Sequence, residues 1–455
     1  MGSIRAICIC VAPLGRFPSG RTGIPTSTCI ATGLARSEAS VWLICAGERF
    51  STTMSHDDPL PSSGHVLHAA LAGFSAVLVG NGLGRFAYTP LLPALISDHW
   101  FSPSAAAYLG AANLAGYLAG AVLGHAATRY IRPARLLRGM MVLTAVSLLA
   151  CAERDLGFAW FFLWRFAAGY AGGVLMVVGA PIVLSTTPPR RRGLVGGTMF
   201  TGVGLGIAAS GIIVPQLIEW GGLERAWVGL AAVSLLLTLL AWNGWPRDER
   251  RIDVMPPARA GLGLPVSALL AEYGLNAVGL VPHMLFLVDY VARGLGQGLE
   301  AGASDWVVFG VAAVFGPVLA GQLADRIGFR AALRLAFCAQ AAAVALPVVT
   351  SASGWILVSS AVAGAFVPGI STLVLGRIHE LSPGGPAQGR AWGHATTAWA
   401  LAQAVAAYGY SYLFGRTDNY PLLFGIGVAA IMLALGLELA AGGSRSPQGG
   451  PRAPR

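Results

Sequence analysis

Lysine is absent from all 455 residues, and every one of the thirty basic side chains is arginine. A G-x-x-x-x-G-K-[ST] phosphate loop therefore does not occur, which argues against ATP-driven work by this chain alone. Cysteine is scarce as well. Of six, Cys8, Cys10, Cys29 and Cys45 precede Met54, so the body keeps only Cys151 and Cys338, too few for a disulfide framework or a metal set. Cys8 and Cys10 have no second pair or histidine at zinc spacing. Charged residues make up 11% of the chain against 55% hydrophobic, with a mean hydropathy of +0.65, which excludes the soluble globular class. No H-E-x-x-H and no G-x-S-x-G is present, and no loop is long enough for an extramembrane catalytic domain. Neither catalytic residues, nor a metal, nor a cofactor is expected.

What is present is a train of apolar segments with short connections, read as an all-α polytopic membrane protein. The spans fall at 67–96, 104–127, 136–152, 157–185, 194–217, 225–245, 264–292, 304–323, 332–350, 354–378, 390–414 and 420–441. Lipid cannot satisfy bare peptide groups, so each should be a helix, and abundant glycine and alanine permit close helix contacts. Arginine locates the +10 charge at alternate connections: Arg129, Arg132, Arg135 and Arg138; Arg190, Arg191 and Arg192; Arg247, Arg250, Arg251 and Arg259; Arg326, Arg330 and Arg334; Arg377 and Arg390. The positive-inside rule then places both termini in the cytoplasm and explains the charge without nucleic acid. Residues 66–245 and 264–441 read as two six-helix bundles joined by a cytoplasmic linker, 246–263, with a disordered tail at 442–455. Residues 1–65 read as an extension, and Met54 as the natural start. A disordered leader or signal-like piece is the alternative, although Val41 to Ala46 is too short for a span.

Polar residues inside the spans carry the chemistry. Arg85 lies in the apolar stretch Ala69 to Ile96, where a guanidinium costs roughly 2.5–3.5 kcal/mol on insertion scales. Asn81, Arg85 and Tyr88 stand at i, i+4 and i+7, one stripe on one helix face. Span seven carries a matching stripe, Glu272, Asn276, Gly279 and His283. Related halves of this kind mark transporters, with the substrate site near mid-membrane. Glu272 is either a proton carrier in a partly dehydrated cavity or a solvated carboxylate near the helix end. His283 lines a cavity or packs by a hydrogen bond. Asp289 is solvated or paired with Arg293 at i+4. His394 and Gln403 are candidates for the second-half wall. The runs Gly80-x-Gly82-x-Gly84 and Gly202-x-Gly204-x-Gly206 follow no strand, so they read as helix packing rather than dinucleotide loops.

Several motifs add a resemblance. Gly321-Gln322-Leu323-Ala324-Asp325-Arg326-Ile327-Gly328-Phe329-Arg330 resembles the G-x-L-A-D-R-x-G-x-R loop of the major facilitator superfamily, in which the acid and arginines latch the cytoplasmic side. Gly124 to Arg129 keeps the glycine and an arginine but has Thr128 where the acid would stand. Arg165-Phe166-Ala167-Ala168-Gly169 is similar to the R-x-x-x-G of proton-coupled members, whose arginine is implicated in coupling; the other reading is that Arg165 binds a neighbouring carbonyl. Gly84-Arg85-Phe86-Ala87-Tyr88-Thr89-Pro90-Leu91-Leu92-Pro93, with Tyr108 to Tyr117 around Asn113, resembles the bacterial YbfB/YjiJ-type group. The resemblance implies two pseudo-symmetric six-helix bundles and secondary transport of a small organic solute by alternating access, coupled to H+. It also implies a monomer in the lipid bilayer of the bacterial inner membrane. An uncoupled facilitator or an organic-anion importer is the alternative, followed by a transporter-like sensor or a membrane enzyme. Arg85 then serves substrate anchoring or charge compensation during proton coupling.

Overall fold

The computed structural model describes residues 44–45, 48–49, 63–188, 191–246, 263–382 and 385–443. Residues 1–60 are a separate unit, of which an antiparallel pair, Ile44–Cys45 with Glu48–Arg49, is described. Met54, most of the 246–263 linker and the 444–455 tail lie outside the described residues.

The body is helical throughout. Helix α1 is built from Ser63–Val77, Leu78–Phe86 and Tyr88–Ser97, and is followed by α2 (Pro103–Ala127), α3 (Pro133–Ala150) and α4 (Gly157–Ser185). The next stretch, Arg192–Ala241, is 50 residues long and leaves helical geometry at Gly221 and Gly222. At 1.5 Å per residue it would be far longer than a ~30 Å hydrocarbon core, so it is two passes, α5 (192–220) and α6 (223–241). The second half comprises α7 (Leu264–Asp289, continued by Tyr290–Gly294), α8 (Gly298–Ile327), α9 (Phe329–Val349), α10 (Ser353–Leu381), α11 (Gly385–Thr417) and α12 (Tyr420–Gly443). Ten of the described helices are long and apolar enough to cross a membrane. The break at Gly221–Gly222 adds one pass and α11, more polar than the rest, adds the twelfth.

Missing side chains decide the packing. A Cβ on Gly116 or Gly120 of α2 would sit 2.0 or 2.1 Å from the Phe166 or Tyr170 carbonyl of α4, and one on Gly169 would sit 1.9 Å from the Asn113 carbonyl. Helices α8 and α10 repeat the device, Gly316 against Ala365 and Gly364 against Phe309. Such approaches let helices associate in lipid, where apolar burial gives no drive. Helices α2 and α11, and α5 and α8, join one half of the chain to the other. Gly202 and Gly206 pack on α1 while Gly204 faces α8, so these glycines serve helix contact.

Helix α1 departs from the regular helix its sequence predicts. Leu78–Phe86 is π-helical, closed by Ala87 N–H donating to Gly82 O at 3.0 Å. Pro90 supplies no N–H to the Phe86 carbonyl four residues before it, and Gly80, Gly82 and Gly84 accommodate the wider turn. The π turn winds fewer degrees per residue, so Asn81, Arg85 and Tyr88 fan out over different neighbours.

Candidate functional site

Arg85 leaves the π turn toward α2 and α11. Its Nη2 donates to Gln403 Oε1 of α11, and its guanidinium lies 4.8 Å from the Tyr117 ring centre and 5.8 Å from that of Trp399. Arg165 of α4 is 1% exposed; its Nη1 donates 3.0 Å to the Gly84 carbonyl and its head stands 4.4 Å over the Tyr88 ring and 5.9 Å from Trp227. Asn113 Nδ2 donates to both Gly84 O and Arg165 O at 3.1 Å, which ties α1, α2 and α4 at one point. Desolvated cation–π contacts are worth about 2 kcal/mol each, similar to the cost of placing a guanidinium in the membrane.

Neither arginine has a carboxylate partner among the described residues. Arg165 Nε and Nη2 and Asn113 Oδ1 lack any hydrogen-bond partner. Both arginines line one space of about 20 Å³, with Tyr88, Thr89, Asn113, Met284 and Leu285 around it. Thr89 Oγ1 donates 2.6 Å to Met284 O, which closes the space across the two halves of the chain, while Tyr88 OH donates 2.7 Å to Ala106 O within the first half. A larger hollow, about 500 Å³, opens at the helix ends beside Trp100, Phe101 and Arg293, away from the arginine pair.

The structure thus brings Arg85, Tyr88, Asn113, Arg165 and Gln403 together. Asn81 points elsewhere, its Nδ2 4.0 Å from Met176 Sδ on α4. The α7 stripe faces the interior of its own half: Asn276 Nδ2 donates 2.6 Å to Gln340 Oε1 of α9, His283 Nε2 and Ser359 Oγ of α10 are 2.7 Å apart, and Gly279 packs on Gly427 and Ile431 of α12. Glu272 is buried, 1% exposed. Asp289 is fully buried, pairs with Arg293 at 2.6 Å, and accepts from Tyr420. His394 is exposed. In the 321–330 loop Gly328 adopts φ 83°, where only glycine is unstrained, between Asp325 and Arg326 on one side and Arg330 on the other. Asp325 and Arg326 are exposed with no ion pair among the described residues, while Arg330 and Arg334 both donate to Glu438 of α12, at 2.7 and 3.2 Å. No three His, Cys, Asp or Glu side chains converge on a metal position among the described residues.

Tyr117, Trp227, Thr89, Trp399 and Met284 were not singled out from sequence. Tyr117 is one turn from Asn113, and Trp399 one turn from Gln403, so helical spacing from the polar residues points to both.

Twelve membrane passes in two linked halves, with a closed polar space between them, define a major facilitator transporter fold. The crystal structure of a D-xylose-proton symporter shares it, with a TM-score of 0.60 at 16% identity over 81% of this chain and 96% of that one. The family described as uncharacterised MFS-type transporter YbfB matches residues 77–439, and the chain belongs to it. The putative uncharacterized transporter YgaY of Escherichia coli K12 is 26% identical over 198 residues, 43% of this chain and 50% of the relative. The uncharacterized transporter YgaY of E. coli O157:H7 matches to the same extent. The chain spans about half the length of these curated relatives.

Proposed function

We propose that this protein is a secondary active transporter that moves a small organic anion across the bacterial inner membrane by alternating access, driven by protons. Its two six-helix bundles, 66–245 and 264–441, rock about the Arg85–Arg165 space, with both termini in the cytoplasm. One observation carries the substrate class: two buried guanidiniums line one space, have no carboxylate partner among the described residues, and keep Arg165 Nε and Nη2 unbonded. A carboxylate accepts two parallel N–H bonds from such a head, and the aromatic rings suit an apolar or aromatic remainder. The symporter whose fold it shares moves D-xylose with protons, which supports gradient-driven transport here. Asp325 and Arg326, exposed and without an ion pair among the described residues, fit a cytoplasmic latch in its released state.

A thermal-shift screen of the purified protein with aliphatic and aromatic carboxylates, set against their amides, tests the assignment. Acids should stabilise and amides should not, with the effect lost in Arg85→Gln and Arg165→Gln. Equal stabilisation by acid and amide would overturn the anion reading.

A further inference from the structure

The α7 stripe has no part in the arginine space, yet it holds a second set of unbonded groups. Glu272 is 1% exposed, and its Oε2 has no hydrogen-bond partner. One turn along, Asn276 Oδ1 is also unbonded, as is Nε2 of Gln340, the residue that accepts from Asn276. Glu272 and Asn276 stand one turn apart on the same helix face, and Asn276 reaches Gln340 of α9. Each unmade bond in such a place costs about 1–3 kcal/mol, so an acid retained here needs a reason.

The surrounding charges are defined. Gly279 meets Ile431 on α12, and two turns toward the other end of each antiparallel helix set Glu272 opposite Glu438. The charges that act on Glu272 are Glu438 from α12, Arg330 and Arg334 from α9, and Arg377 from α10. Helix α11 presents Ala398 and Ala402 to neighbouring Gly274, and α1 and α8 meet α7 near its other end, through Thr89–Met284 and Gly302–Val288.

We infer that Glu272, Asn276 and Gln340 form the coupling-proton site, inside the second half and apart from the arginine space, linked through Glu438 to Arg330 of the 321–330 loop. This rests on the transporter reading and adds where the driving ion binds. Loading takes one proton from water and converts the Glu272 carboxylate to the acid, whose O–H supplies the donor that Asn276 Oδ1 lacks. Release returns the proton to water and leaves a carboxylate that can accept from Gln340 Nε2. With Glu272 ionised, it and Glu438 balance Arg330 and Arg334. With Glu272 protonated, both arginines depend on Glu438 alone, so Arg330 is held more tightly and the loop is steadied.

Dicyclohexylcarbodiimide, which modifies protonated carboxyls in apolar surroundings, tests the site on the full-length protein in nanodiscs without any substrate. Peptide mass analysis should find Glu272 labelled, with labelling falling about tenfold per pH unit once the acid ionises. Glu272→Gln should abolish that label. At a pH where the wild type is ionised, Glu272→Gln should slow deuterium exchange in the 321–330 peptide, and Glu438→Gln should remove the effect. An unlabelled Glu272, labelling that ignores pH, or labelling suppressed by sodium chloride but not choline chloride would overturn the proton site. Loop exchange that ignores Glu272→Gln would overturn the link. Retained stabilisation by carboxylates in those cases would leave the transporter reading standing, while its loss with pH-dependent labelling intact would remove the anion reading alone.

Discussion

Helices α1 and α7 each open a half of the chain with a polar stripe, a glycine-bearing face and a proline, yet they use these parts in opposite ways. In α1 the stripe is unwound by a π turn, so that Arg85 reaches α11 of the other half while Gly84 gives its carbonyl to Arg165. In α7 the helix stays regular through Glu272, Asn276, Gly279 and His283, and the stripe turns onto α9, α10 and α12 of its own half. Helical periodicity shows which residues share a face, but not what that face meets. Backbone geometry decides the rest, because a few widened hydrogen bonds re-aim the side chains of α1.

The largest test of this contrast exchanges its two functions. Arg165→Gln should lose the carboxylate-dependent stabilisation, about 2.7 kcal/mol at a ligand concentration a hundredfold above Kd, whereas His283→Gln should keep it. If His283→Gln also lost it, the division between the stripes would collapse. Next come the glycines. A Cβ on Gly82 would lie 2.7 Å from the Gly206 Cα, where backbone faces backbone, so Gly82→Ala should destabilise by roughly 1–3 kcal/mol in detergent melts. Gly279→Ala should cost less, since its nearest obstacle is the Ile431 side chain, although the Gly427 carbonyl is 2.8 Å away. The reverse ranking would mean that α7, not α1, is the tighter of the two. The smallest effect is the Asn276–Gln340 coupling. Single leucine substitutions should each destabilise, and a double-mutant cycle should give roughly 0.6–1.7 kcal/mol, as for other hydrogen bonds within membranes. A coupling of zero would show the pair to be separately solvated.

The passes were legible because hydropathy and connection length act locally. Even the α5–α6 turn, where the backbone leaves helical geometry at Gly221 and Gly222, fell between the spans read at 194–217 and 225–245. Arg85, Tyr88, Asn113, Arg165 and Gln403 were legible as polar residues in apolar spans. Their partners were less so, because Tyr117, Trp399 and Trp227 look like any membrane aromatic until a cation stands over them. Gln340 and Glu438 carried a signal that went unused: Glu438 is the one charged side chain of α12, Gln340 stands in the apolar run of α9 beyond Arg334, and each is almost fully buried. The π turn was hidden, since its cause is a proline acting four residues upstream together with three glycines.

The closed space between Arg85 and Arg165, about 20 Å³, holds roughly one water molecule, far less than any carboxylate-bearing solute needs. On the proposed reading a solute would wait for the Thr89–Met284 contact and its neighbours to part, and its apparent affinity would be reduced by the fraction of molecules that are open. Binding should then be slow, with an observed rate that levels off as ligand is raised instead of climbing in proportion. Weakening that contact, for example by Thr89→Val, should speed entry and tighten the apparent affinity with no new bond to the ligand.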